Sequence, residues 1–253
     1  MGVLEGRVAI ITGGAGGIGS GTARRFTEEG ATVVLADVAE DRVKELAAEL
    51  TATGARAIGL GCDVAKASDI QAVVDTTIAE YGKVDILVNL AQGGMGEMRY
   101  LDQTTIEDAT YAFVTGPLQS MLFMQYCLPH MKERRYGRII NVSSQSSVVG
   151  APGFAPYEMA KGAISALTRN ASQEWGQYGI VTNCFLPAIK TPAYDMSEQG
   201  RAAAERLAAE IPVRYFGTPY EDCAPLLVFL ASQEAGYING QAIAVDGGRY
   251  LIA

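Results

Sequence analysis

Three residues of this chain have types and spacing suited to moving a proton: Ser144, Tyr157 and Lys161. Tyr157 and Lys161 stand four apart, so on a helix they share a face. A phenol ordinarily titrates at about 10, too high for a base near neutrality. An ammonium beside it favours the phenolate and lowers that value. A drop of about 2 to 3 units takes roughly 3 to 4 kcal/mol, within reach of close positive charge. Ser144 precedes the tyrosine by thirteen residues. A tyrosine and a lysine at this spacing are also common on solvated helix faces, so the surrounding elements must carry the reading.

Those elements alternate. Short β-branched runs predict strands at Val8–Thr12, Thr32–Ala36, Ala57–Cys62, Ile86–Asn89, Arg138–Val142, Ile180–Phe185 and Ala242–Val245. Helical spacing of apolar residues predicts helices at Ile18–Glu29, Asp41–Thr53, Ala67–Tyr81, Ile106–Lys132, Tyr157–Trp175 and Tyr220–Ala231. Such alternation means βαβ crossovers and a parallel sheet covered on both faces. The uninterrupted apolar runs VAII and DILV suit central strands buried on both sides. No linker or repeat divides the chain. The expectation is an α/β fold: one doubly wound, Rossmann-type domain of about seven parallel strands spanning residues 1–253.

The first strand runs into Gly13-Gly14-Ala15-Gly16-Gly17-Ile18-Gly19 and then a helix. Glycines there permit a tight turn and a close approach of backbone to a pyrophosphate, which the helix N-terminus attracts. The second strand ends at Asp37, 18 residues after Gly19. A carboxylate at that point can accept hydrogen bonds from both adenosine ribose hydroxyls, or cap the helix that follows. It would also repel a 2′-phosphate, and no Arg or Lys stands in Gly14–Gly19 or at position 38. NAD is the expected cofactor.

With TGGAGGIG, Asp37, Cys62-Asp63-Val64, DILVN, Ser144, Tyr157-x-x-x-Lys161, Pro187-x-x-x-Thr191 and the closing INGQAIAVDGG in order, the whole chain resembles the short-chain dehydrogenase/reductase family. The resemblance implies that Gly13, Gly17, Ile18 and Gly19 line the pyrophosphate and Asp37 the adenosine ribose. Asp63 and Val64 would flank the adenine. Asn89 and Ala91 would sit by the nicotinamide ribose, and Pro187, Ile189 and Thr191 by the carboxamide. Tyr157 would exchange a proton with a substrate hydroxyl or carbonyl that Ser144 holds. Lys161 would lower the tyrosine pKa and bind the nicotinamide ribose. The implied activity is NAD-dependent interconversion of a secondary alcohol and a ketone.

Two positions depart from the family. Asn89-Leu90-Ala91-Gln92 replaces the usual Asn-Asn-Ala-Gly, which puts a side chain where the family leaves room against the cofactor. Phe113, three residues before Gly116, replaces an asparagine that supports a proton-relay water in the family; Thr115, Tyr111 or a rearranged water chain would have to substitute. The second reading, a dinucleotide-binding or regulatory protein with impaired turnover, rests on these two residues.

Composition narrows the partners. A net charge of −8 disfavours nucleic acid and anionic membranes. The 49% hydrophobic and 19% charged content is that of a globular domain. Four widely spaced cysteines form no C-x-x-C and read as reduced thiols of a cytoplasmic protein. With one histidine, no His-based metal site is expected. Met95, Met98, Tyr100, Val148, Phe154, Tyr194 and Met196, on segments beyond the strand ends, suggest an apolar or aromatic small-molecule substrate; Arg99 and Lys190 leave room for an anionic one. A lid over about 188–212 would carry an amphipathic helix. The apolar LQSMLFMQYCL run fits either a core helix or, by the family likeness, a homotetramer interface shared with the Tyr157 helix.

Overall fold

The computed structural model describes residues 2–93 and 99–250. Met95 and Met98 lie outside the described residues. Seven strands form one parallel sheet: β1 Val8–Thr12, β2 Thr32–Asp37, β3 Ala57–Gly61, β4 Ile86–Asn89, β5 Gly137–Val142, β6 Ile180–Pro187 and β7 Ala242–Val245. Their order is β3-β2-β1-β4-β5-β6-β7, so the chain leaves β1 toward one edge and returns at β4 on its other side. The crossovers that make a parallel sheet possible are α1 Gly17–Glu28, α2 Glu40–Ala52, α3 Ala67–Tyr81, α4 Ile106–Phe113, α5 Gln119–Arg134, α6 Ser146–Val149, α7 Ala155–Trp175, α8 Glu198–Glu210 and α9 Ala224–Ala231.

Successive strand residues face opposite ways, so neighbours in sequence enter different cores. Ile11 and Leu35 pack with Phe26 of α1, Leu46 of α2 and Leu227 of α9. Ile10 and Val34 pack with Ile70 of α3, Phe123 of α5 and Ala171 of α7. The strands VAII and ILVN therefore have no polar face to alternate.

The expected helix Ile106–Lys132 is not continuous. A capping box between Thr105 and Asp108 starts α4. A widened π-turn, Val114–Leu118, then separates α4 from α5. Pro117 lies inside that turn. Its ring lacks an N–H and clashes with the carbonyl four residues back, and the wider turn accommodates both. The expected helix at Tyr220–Ala231 likewise opens with a π-turn, Pro219–Cys223.

Candidate active site

The order in which strands are added reverses between β1 and β4, and the carboxyl ends of those two parallel strands bound a crevice. Gly13 turns there with φ +68°, and a Cβ on it would lie 3.0 Å from the Ala91 amide nitrogen. A Cβ on Gly19 would collide with the Gly13 carbonyl. The turn closes on itself through Gly16 N–H to Gly13 O at 3.0 Å, and α1 begins with no side-chain cap. The N–H groups of the first helical turn, including Gly17 and Ile18, are thus available to an anion.

Asp37 fixes that turn. Its carboxylate accepts from Ala15 N–H (3.0 Å) and from Ala39 N–H (3.0 Å). Ala39, not Asp37, occupies the N-cap of α2. Arg42, from the first turn of α2, donates to Ala15 O at 3.0 Å. A cation therefore does stand at this rim, five residues beyond the carboxylate and outside the stretch where the sequence pattern looked for one. Asp63 is taken up by its own turn: it accepts from Ala65 N–H (3.0 Å), pairs with Lys66 (3.3 Å), and is held below the usual carboxylate value by the first of these. Val64 is half-buried against the α3 side of the core.

On the other side of the crevice one buried hydroxyl ties the loop down. Thr12 Oγ1 accepts from Leu90 N–H (3.0 Å) and Ala91 N–H (3.1 Å). The Ala91 carbonyl accepts from Gln119 (3.2 Å). Asn89, 1% exposed, sends its amide into the sheet, donating to Asn141 (2.8 Å), which donates to Thr168 (2.9 Å). The Asn89 Oδ1 is buried and has no hydrogen-bond partner among the described residues. Pro187 ends β6, the Ile189 side chain is buried in the core, and the Lys190 N–H bonds to Gly217 O, which carries Thr191 to the same end of the sheet.

Gln92 does not enter the crevice. Its amide nitrogen donates to Gly93 O (2.8 Å) and Ala112 O (3.1 Å), and its oxygen rests against Gly116. Glycine at 116 makes that possible, since a Cβ would stand 2.5 Å from the oxygen. Phe113 is half-buried at the end of α4. Thr115, one expected substitute for the relay asparagine, is already committed: it accepts from Gly93 N–H (3.1 Å) and donates to Tyr111 O (2.8 Å).

Ser144, Tyr157 and Lys161 converge where β5 meets α7. Ser144 Oγ accepts from Ser146 N–H (3.2 Å) and shares a hydrogen bond with Ser146 Oγ (2.9 Å), and it lies close enough to the Tyr157 phenol to pull its pKa down. The loop between them is pinned by Ser147 to Ser144 O (2.6 Å) and by Glu158 to Ala151 N–H (2.6 Å). Lys161 is 2% exposed, donates to Val142 O (3.1 Å), and holds its Nζ 5.4 Å from the centre of the Tyr157 ring. No carboxylate among the described residues pairs with it, and burial pulls its pKa down to about 7. Burial likewise raises the Tyr157 phenol above its ordinary value, with the Ser144 hydrogen bond pulling the other way. The expectation that Lys161 brings the phenol down is therefore not met within this chain. Both groups are desolvated, and burial disfavours the charged form of each.

Thr12, Arg42 and Gln119 escaped the sequence reading. A threonine ending a hydrophobic strand just before a glycine turn was the only available signal for the first.

A family model described as enoyl-(acyl carrier protein) reductase matches residues 13–249. A (2S)-[(R)-hydroxy(phenyl)methyl]succinyl-CoA dehydrogenase subunit of Thauera aromatica is 37% identical over 254 residues, 99% of each chain. Tropinone reductase-like 1 of Erythroxylum coca is 38% identical over 256 residues, 98% of this chain and 92% of its own. The crystal structure of levodione reductase superimposes with a TM-score of 0.90 at 30% identity, covering 97% of this chain and 98% of that one. Sequence likeness from end to end and the same sheet with its switch at β1 and β4 agree: the chain belongs to the short-chain dehydrogenase/reductase family of oxidoreductases.

Proposed function

We propose that this protein is an NAD(H)-dependent oxidoreductase that interconverts a secondary alcohol and a ketone. The observation that carries the reading is the convergence of Ser144, Tyr157 and Lys161, with Ser144 beside the phenol and Lys161 buried behind its ring. The residues fit a dinucleotide. The glycine turn leaves backbone where a Cβ would clash, and Asp37 still has lone pairs for ribose hydroxyls beyond its two backbone bonds. When bound, the nicotinamide supplies or accepts the hydride. Gly13, Gly17, Ile18 and Gly19 hold the pyrophosphate. Asp37 holds the adenosine ribose, with Asp63 and Val64 beside the adenine. The backbone at Asn89 and Ala91, with Lys161, faces the nicotinamide ribose, and Pro187, Ile189 and Thr191 face the carboxamide.

Tyr157 Oη gives or takes the proton on the substrate oxygen. Ser144 holds that oxygen by turning its hydroxyl hydrogen from Ser146 Oγ toward it, while Ser146 N–H keeps one Ser144 lone pair occupied. Residues 188–212 form the lid, carrying α8, with Tyr194 packed edge-on against Phe216. Val148, Phe154 and Tyr194 suit an apolar or aromatic substrate, and the names of the Thauera and Erythroxylum relatives support that class. We read the enzyme as cytoplasmic, a reading supported by its four unpaired, buried cysteines. No described helix is long and apolar enough to cross a membrane.

Tyr157→Phe tests the assignment. Turnover across a panel of ketones should fall by about 10²–10⁴-fold, the usual contribution of a general acid. NADH affinity, read by fluorescence titration, should stay within about twofold. The same titration should favour NADH over NADPH by roughly tenfold or more, since a charge-assisted bond to the ribose contributes about 1.5–3 kcal/mol and Arg42 tempers the repulsion. Near-parental turnover by Tyr157→Phe would assign the proton to another group, and tighter NADPH binding would reverse the role of Asp37.

A further inference from the structure

Gln145 directly follows the serine, yet its side chain points away from the crevice and is 4% exposed. Its amide donates to Asp246 at 2.5 Å. Asp246, 7% exposed, is paired with no cation among the described residues. It accepts instead from Gly248 N–H (2.9 Å) and Tyr250 N–H (2.8 Å), so it is the centre of the turn that follows β7.

The same turn grips the far end of the lid. Gly247 adopts φ +63°, and a Cβ there would stand 2.6 Å from both Ile211 and Val213, just past the end of α8. Val213 N–H bonds to Gly247 O (3.4 Å), and Arg249 pairs with Glu210, the last residue of α8 (3.7 Å). The near end of the lid has its own latch, Lys190 to Asp195 at 2.7 Å. One turn thus touches the rear hinge of the lid on one side and, through a single amide, the residue beside Ser144 on the other. The Gln145 carbonyl accepts from Val148 and Val149 N–H groups, so any shift of residue 145 also moves α6 and its exposed valines.

We propose that Gln145 is a positioning residue: it carries the seating of the lid, through the Asp246 turn, to the hydroxyl of Ser144. The proposal rests on the reading of Ser144 and Tyr157 given above. When the lid is seated, the turn holds Asp246 fixed, Asp246 holds the Gln145 amide, and the Ser144 hydroxyl is held beside the phenol. When the rear hinge lifts, residue 145 is released and that hydroxyl loses its aim.

Gln145→Leu keeps the volume and removes the bond. It should lower kcat about tenfold while NADH affinity stays within twofold. Ser144 beside the phenol pulls the Tyr157 pKa down, so displacing Ser144 should move the tyrosine limb of the alcohol-oxidation pH profile to higher pH. A purely structural loss would leave that limb in place. Glu210→Gln breaks the exposed hinge pair, with 55% of the Glu210 side chain exposed, and does not touch the core. On the parent it should lower kcat about threefold. In a Gln145→Leu background it should have no further effect, because the link is already cut. Additive losses, an unmoved tyrosine limb, or parental kcat in Gln145→Leu would each overturn the proposal. Should Gln145→Leu fail to fold, Glu210→Gln decides alone: an unmoved limb overturns it. If Tyr157→Phe remains active in the same assays, the underlying assignment of the acid fails instead, so the two failures are distinct.

Discussion

At the scale of single residues, burial governs protonation here more than neighbouring charge does. Lys161 has a folded pKa of about 7 against an ordinary 10.5, with desolvation as the cause. Between those values the unfolded chain binds more protons, so this lysine makes stability rise with pH from about 7 to 10.5. Below about 7 the buried ammonium costs its full amount, roughly 5 kcal/mol for the fall from 10.5 to about 7. Lys161→Met removes that cost but strands the Val142 carbonyl, which takes back about 1–3 kcal/mol. The cofactor-free variant should melt a few degrees above the parent at pH 6, and the gain should vanish or reverse by pH 10. A difference in Tm that does not change with pH would refute the depressed value. Ser144, Tyr157 and Lys161 were legible as candidates only because their spacing came with the glycine turn, Asp37 and the other family motifs in order. Their protonation was not, because it depends on how deeply the fold encloses them. Arg42 and Gln119 were illegible for a related reason: each reaches the site from a helix face that only the packing selects.

At the scale of elements, the α4–α5 junction departs most from the pattern in the sequence. Apolar spacing runs through Ile106–Lys132, and only Pro117 marks the π-turn that breaks it. The turn matters because Gly116 and Gln92 fit together inside it. Gly116→Ala would place a methyl 2.5 Å from the Gln92 oxygen and displace the amide from Gly93 O and Ala112 O. Overpacking of this kind costs about 1–3 kcal/mol, measurable by urea unfolding. Adding Gln92→Gly should recover part of the loss, since the clash needs both side chains. Equal losses with and without Gln92 would place the cause in the backbone. The strands, by contrast, were legible nearly residue for residue, because runs such as VAII bury both faces and leave no alternative register.

At the scale of the molecule, the two ends of the sheet divide the labour. The carboxyl ends carry the site; the amino ends carry a charge cluster. Asp85, fully buried, accepts from Val8 N–H (2.9 Å) and pairs with Lys83 (2.9 Å) and Arg7 (3.4 Å). Arg7 and Arg138 both lie over the Tyr136 ring, at 3.6 and 4.4 Å. Asp85→Ala leaves cations and an amide unpaired and should cost about 3–5 kcal/mol of folding stability. KM for substrate should be unchanged in the folded fraction; a shifted KM would mean the two ends are coupled. The proposed homotetramer also belongs to this scale. Ile106, Leu118 and Met159 are 74%, 43% and 52% exposed on α4, the π-turn and α7. Light scattering should give about four times 26.8 kDa, and a monomer would reassign those residues.

The Thr12 hydroxyl has a consequence for the order in which the chain matures. It joins β1 to amides 78 and 79 residues later, across the whole of β2 and β3 with their helices. A ribosome that has released only residues 1–81 can already build the glycine turn, Asp37 and a three-stranded sheet. Gly13 then faces no Ala91, and the crevice has one wall. Competence for dinucleotide should therefore appear late in synthesis, as a step separate from the first compaction.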